Sequence, residues 1–165
     1  MRENIVGIFK NVYSIIAIIL IVLMLVFMFR DVGGERINDI PVPQLTKTVA
    51  EAAGMSDKEK SSNRMVKHFY GLNPNDYGEA VYYAPETNMD VDELFIIKVN
   101  DINDIPVIEE AIQQHLDTQL TSFEGYGINQ TALLNASRQV TKGKYVMFVC
   151  GEKAIEAAAV FNDEL

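Results

Sequence analysis

Apolar residues are arranged along this chain in three different ways, and each arrangement predicts a different kind of element. From Val12 to Phe29 (VYSIIAIILIVLMLVFMF) they run for eighteen residues without a charge. Coiled as a helix, such a run spans about 27 Å at about 1.5 Å per residue, close to the roughly 30 Å hydrocarbon core of a bilayer. Ile, Leu, Val, Met and Phe occupy every side of it, whereas a helix resting on a soluble core keeps a polar face. The run predicts one transmembrane helix.

The second arrangement is helical spacing. Residues 30–42, with Gly33-Gly34 and Pro41, read as a linker. Val42, Leu45, Val49, Ala52 and Ala53 then predict a helix over 43–54, and Met65, Val66, Phe69 and Tyr70 predict one over 60–70. Asn73-Pro74-Asn75-Asp76 is a turn. Asp101 and Asp104 resemble a cap, Pro106 suits a first helical turn, and Ile105, Ile108, Ile112, Leu116, Leu120 and Phe123 line one stripe of a helix that ends before Gly125-Tyr126-Gly127. A short helix is expected near 130–135. A last one over 152–164 carries Ala154, Ala157, Ala158, Phe161 and Leu165 on one side.

The third arrangement is strand-like. Ala80–Ala84 (AVYYA) and Glu93–Val99 (ELFIIKV) are rich in β-branched and aromatic residues and flank a loop of about eight residues containing Pro85-Glu86-Thr87-Asn88. Strands at 137–140 and 145–150 flank a tight turn at Lys142-Gly143-Lys144. The order helix–helix–ββα–ββα predicts an α+β domain: an antiparallel sheet of about four strands with helices packed on one face, preceded by the transmembrane helix. Leu94–Ile97 and Val146–Val149 are apolar on both strand faces and are the expected central strands. The chain thus divides into a cytoplasmic tail (1–11), an anchor (12–29), a linker (30–42) and an extracytoplasmic domain (43–165).

Composition refines this picture. The run ends Met28-Phe29-Arg30-Asp31, with no small-residue cleavage site and no following cysteine for a lipid, so it reads as an uncleaved anchor rather than a signal peptide or lipoprotein leader. Arg2, Lys10 and the α-amino group precede it, and Arg30 and Arg36, balanced by Asp31 and Glu35, follow it. The near-tie in Lys and Arg is tipped by the free amino terminus toward N-terminus inside, domain outside. A tail of eleven residues has no room for a cytoplasmic effector domain. After Arg36 there are 10 Lys/Arg and 20 Asp/Glu, a net charge of −10, which repels nucleic-acid phosphates and anionic lipid head groups. Nucleic acid is therefore excluded as a partner, and the lipid bilayer is met only through Val12–Phe29.

Candidate chemistry is sparse. Cys150, the single cysteine, sits at a strand end among Val146, Phe148 and Val149 and reads as a buried, inert thiol. His68 and His115 lie on different helices, 47 residues apart, without paired-ligand spacing, and His115 reads as a boundary residue beside the apolar stripe. Asp90-Val91-Asp92-Glu93 and Asn100–Asp104 offer oxygen ligands but lack the central glycine and twelfth-position Glu of a calcium loop, so they read as a strand approach and a cap. No catalytic, cofactor-binding or metal-ligating residue is assigned. Two sequons, at Asn129 and Asn135, are given no weight. The most informative polar residue is Gln119, placed on the core-facing stripe between Leu116 and Phe123. A buried amide needs partners, so it either braces the Gly125–Gln130 loop or shapes a ligand pocket with Tyr126 and Gln130.

Three segments together, Val91-Asp92-Glu93-Leu94-Phe95-Ile96-Ile97-Lys98-Val99, Gln119-x-x-x-Phe123-x-Gly125-Tyr126-Gly127-x-x-Gln130 and Lys142-Gly143-Lys144-Tyr145-Val146-Met147-Phe148-Val149, resemble the bacterial DUF4358 domain over about residues 65–161. The resemblance implies an extracytoplasmic domain of Gram-positive bacteria in which many relatives look like lipoproteins; here a helix replaces the lipid-bearing cysteine. It implies no catalytic residues. The expected function is a non-catalytic interaction or accessory module of the cell envelope with an envelope protein as partner. A small-ligand or cation-binding receptor domain and an unrecognised envelope hydrolase or transferase are the alternatives.

Overall fold

The computed structural model describes residues 37–165 and, nearer the N-terminus, residue 17 and residues 19–24. The chain divides into two units, residues 1–36 and 37–165. Residues 17 and 19–24 are helical, and Ile19 to Met24 are each more than half exposed. Among the described residues no helix is long and apolar enough to cross a membrane. Most of the run Val12–Phe29, the tail 1–11 and residues 30–36 lie outside the described residues.

Residues 37–165 form helices α1 (Val42–Ala53), α2 (Asn63–Tyr70), a single turn α3 (Pro74–Tyr77), α4 (Ile105–Phe123), α5 (Ile128–Ala136) and α6 (Ala154–Glu164). The strands are β1 (Gly78–Tyr83), β2 (Glu93–Val99), β3 (Arg138–Lys142) and β4 (Tyr145–Cys150), in the antiparallel order β1-β2-β4-β3. The two strands with continuous apolar runs are the central ones. Pro41 opens α1 and Gly54 ends it with φ 72°, a left-handed conformation that glycine adopts without steric penalty. Pro106 occupies the first turn of α4, and the Asp101 side chain accepts the Asn103 N–H of the short 3₁₀ turn ahead of it.

The helices cover both faces of the sheet, not one. Alternate residues of a strand point to opposite sides. Leu94, Ile96, Met147 and Val149 face α1 and α6, where Leu45, Val49, Ala157 and Phe161 are fully or almost fully buried. Phe95, Ile97, Val146, Phe148 and Cys150 face α2, α4 and α5, packing with Val66, Ile108, Ile112 and Leu134. The reason lies in the central strands. A strand apolar on both faces exposes one of them unless each is covered.

The start and end of the domain are fastened to one edge of this sandwich. The Asn38 N–H donates to the Leu165 carbonyl at 2.7 Å and the Asn38 side chain to the Glu164 carbonyl at 3.0 Å. The Tyr145 hydroxyl accepts the Ile40 N–H at 3.0 Å and reaches the Ile40 carbonyl at 2.8 Å. Lys98 pairs with Asp39. At the β3–β4 turn, Gly143 has φ 57°, and a Cβ there would collide with Ile37. Residues 37–40 are thus seated where β2 ends and β4 begins.

Candidate functional site

The opposite end of the sheet carries the loop from Ala84 to Asp92, which joins β1 to β2. Lys58, in the segment between α1 and α2, holds this loop from within: its ammonium donates to the Asp92 carbonyl at 2.8 Å and lies 3.5 Å from the Asp90 carboxylate. Asp90 in turn accepts the N–H groups of Glu86 and Asp92, both at 3.2 Å. Burial pushes the Asp90 carboxyl up, but these N–H groups and Lys58 more than reverse the effect and leave it below its ordinary value. Asp92 goes the other way, raised by burial and by the neighbouring Asp90. Its Oδ1 is the one buried side-chain oxygen or nitrogen without a hydrogen-bond partner among the described residues. Glu93 points into the core. The acidic run 90–93 is therefore dispersed rather than gathered, and among the described residues no group of three His, Cys, Asp or Glu side chains could hold a metal ion.

Between this loop, α2 and the last turn of α4 lies a cleft of about 290 Å³. Met65, Phe69 and Phe123 form its apolar floor; Glu86, Thr87, Asn88 and Asp90 form one rim; Gln119, Ser122 and Tyr126 form the other. Gln119 and Tyr126 thus meet in one cavity. Gln130 does not line it, but its side-chain amide donates to the Met89 carbonyl at 3.0 Å and so ties the loop to α5. Gln119 is half-buried and makes no hydrogen bond among the described residues. It therefore does not brace the Gly125–Gln130 loop by such a bond. Tyr126 is 62 % exposed, and its ring meets that of Phe123 at 5.8 Å with the planes 48° apart.

Behind the cleft sits a cluster that sequence reasoning missed. Glu93, 1 % exposed, meets His115 Nε2 through Oε1 at 2.7 Å, and its Oε2 accepts the hydroxyls of Tyr82 at 2.7 Å and Tyr70 at 2.9 Å. His115 is 3 % exposed, a core residue and not a boundary one. Four elements, α2, β1, β2 and α4, converge on this one carboxylate. Burial first, then the Glu93 charge, pushes both tyrosine hydroxyls well above their ordinary range, so they stay protonated as donors. Phe69 stands edge-on to His115 at 5.7 Å and to Tyr82 at 6.0 Å. The cluster therefore positions a ring of the cleft floor.

A carboxylate behind an imidazole is also the support of a general base. His115 lines a second depression of about 170 Å³ with Tyr70, Gly71, Gln114 and Thr118. The one hydroxyl there beside Tyr70's, that of Thr118, donates to the Gln114 carbonyl at 2.7 Å. Cys150, paired with Glu93 across the sheet, is fully buried, and burial with the Glu93 charge pushes its thiol far above the usual thiol range. Neither is an activated nucleophile. His68 is exposed on α2, edge-on to Phe69 at 5.0 Å.

No curated protein and no solved structure shows significant similarity to the chain. One family model does match, that described as Domain of unknown function (DUF4358), over residues 51–151. This span is more than half of the 165 residues and takes in β1, β2, α4, β4 and both sides of the cleft. By that match, and in keeping with the segments around Glu93, Gln119 and Tyr145, the chain belongs to the DUF4358 family.

Proposed function

We propose that this protein is a membrane-tethered, non-catalytic binding module of a Gram-positive cell envelope. In this reading Val12–Phe29 spans the bilayer, the N-terminus is inside, and the domain outside engages an envelope protein through the cleft of Phe69, Gln119 and Tyr126. One observation carries it: a half-buried amide without a partner among the described residues stands in a cleft with an aromatic floor. The Gln119 amide is not among the buried unpartnered groups, so solvent reaches it and a partner's donor or acceptor can exchange for solvent there. The size of the cleft favours a protein over a free metabolite. Small-molecule sites run to about 300–1,000 Å³, and 290 Å³ falls just below that range. It suits a side chain presented from a larger surface.

Two further points support the tether. Ile19 to Met24 expose six consecutive large apolar side chains, an arrangement suited to lipid rather than water. The domain is fastened through Ile37–Ile40 at one end of the sheet, while the cleft lies at the other.

The test is photo-crosslinking in native membranes, with a photoreactive amino acid at position 126 in the cleft rim or at position 156 on the exposed side of α6. The reading expects a discrete envelope-protein adduct from 126 and none from 156. Equal adducts from both positions, or none from 126, would overturn it.

A further inference from the structure

The chemistry of the cleft wall narrows what can enter it. We infer that the cleft takes a basic side chain, Arg or Lys, presented by the partner; this rests on the cleft being the binding surface.

The floor and the rim differ in character. Met65 and Phe69 are half-buried and Phe123 is buried, whereas Glu86 is exposed at the mouth. Glu86 makes no side-chain hydrogen bond or ion pair among the described residues. An occupant lying along the floor would be apolar where it crosses Phe69 and positively charged or polar where it turns back to the rim. Arg and Lys have this build, a three- or four-carbon stem carrying a cationic head. The head would lie at the Glu86 rim, and the Gln119 carbonyl oxygen, on the opposite rim, is a further acceptor that lacks a donor among the described residues. Tyr126, 62 % exposed, offers a ring face of the kind on which guanidinium and ammonium groups rest.

The lining also selects against the opposite charge. Among the described residues no Lys, Arg or His lines the cleft, so a carboxylate or phosphate would meet the unpaired Glu86 there. Lys58, the nearest cation to Asp90, lies 3.5 Å from its Oδ2, bonded to the Asp92 carbonyl, and is not among the lining residues. The domain as a whole, the cleft included, carries 20 acidic and 10 basic residues after Arg36, a field that draws basic partners and repels acidic ones. The amphipathic wall and the sign of the field point to the same occupant.

Blocked pentapeptides of sequence Gly-Gly-X-Gly-Gly, with X as Arg, Lys, citrulline or Glu, provide the probe. They are titrated into the full chain held in phosphatidylcholine nanodiscs, whose lipids carry no net charge. Binding is read from the side-chain amide resonances of Gln119. The Arg and Lys peptides are expected to give saturable shifts, the Glu peptide none, and citrulline, the neutral isostere of Arg, at least fivefold weaker binding. Glu86→Gln and Tyr126→Ala should each weaken the Arg peptide about fivefold or more, and Glu156→Gln, an equal charge change on α6, should not.

Equal binding of Arg and citrulline would overturn the inference, because the cleft would then read shape and not charge. Equal losses in Glu86→Gln and Glu156→Gln would also overturn it, leaving only diffuse attraction to an acidic surface. Absence of any Arg shift sinks it as well. The crosslink from position 126 reports separately: a partner captured there without Arg recognition removes the basic side chain and leaves the binding module standing.

Discussion

At the scale of single residues, Glu93 is the group on which this domain most depends. Its carboxylate takes hydrogen bonds from Tyr70 and Tyr82 and meets His115, all in the core. Removing one member of such a set leaves the others buried and unpaired, at a cost of about 3–5 kcal/mol. Glu93→Ala should therefore lower the stability of the full chain by about that amount in chemical denaturation. Glu93→Gln, which keeps an acceptor oxygen in place, should cost less. If Glu93→Ala unfolds at the wild-type denaturant concentration, the cluster does not hold α2 and α4 to the sheet. The cleft depends on the same cluster through Phe69, so Glu93→Ala should also disturb the cavity that Glu86→Gln leaves intact. Glu93 was hidden in the sequence because it closes an acidic run, Asp90-Val91-Asp92-Glu93, and its three partners lie 23, 11 and 22 residues away. His115 carried the signal that could have found it. A polar residue in line with Ile108 and Ile112 needs a buried partner, and an acidic residue heading an apolar strand is a candidate. Gln119 was legible for the same reason, as an amide on an apolar stripe. The loop that makes a cavity of it was not, because the position of Glu86 and Asp90 is set by Lys58, a residue with no local pattern.

At the scale of elements, the two kinds of periodicity were enough to place the strands and the larger helices. Strand pairing followed from the apolar runs of β2 and β4, which form the centre of the sheet. The expectation of helices on one face failed even though the decisive residues were in view. Leu94, Phe95, Ile96 and Ile97 are consecutive and all apolar, so neighbouring side chains must be buried on opposite sides. Single-turn α3 was read as a turn because Asn-Pro-Asn-Asp serves both structures. The two-sided arrangement makes a direct prediction. Met147 and Phe148 are neighbours on β4 and contribute to different cores. Met147→Ala should cost about 2–5 kcal/mol and Phe148→Ala about 3–5 kcal/mol, each measured by equilibrium denaturation. With helices on one face alone, one of these side chains would face water and its loss would cost little. A near-neutral result for either variant would contradict the double cover.

At the scale of the whole molecule, the two ends of the sheet differ. Strand β2 has Lys98, beside Asp39, toward one end and Glu93, next to the cleft loop, at the other. Five residue steps separate them, about 17 Å along the strand. Residues 37–40 and the cleft thus lie at opposite ends of the sheet. The proposed envelope partner reaches the cleft only if the domain is outside. The flanking Lys and Arg leave this open to test, with Arg2 and Lys10 on one side of Val12–Phe29 and Arg30 and Arg36 on the other. The lone native cysteine makes the test clean, because Cys150 is fully buried and its thiol is held protonated, so an added cysteine reports alone. In intact cells a membrane-impermeant maleimide should label Glu156→Cys at once and Asn4→Cys only after the membrane is opened. The reverse pattern would put the acidic domain and its cleft in the cytoplasm. Labelling of both variants in a detergent-free soluble fraction would remove the tether itself, and with it the proposal that the cleft serves a membrane-anchored module.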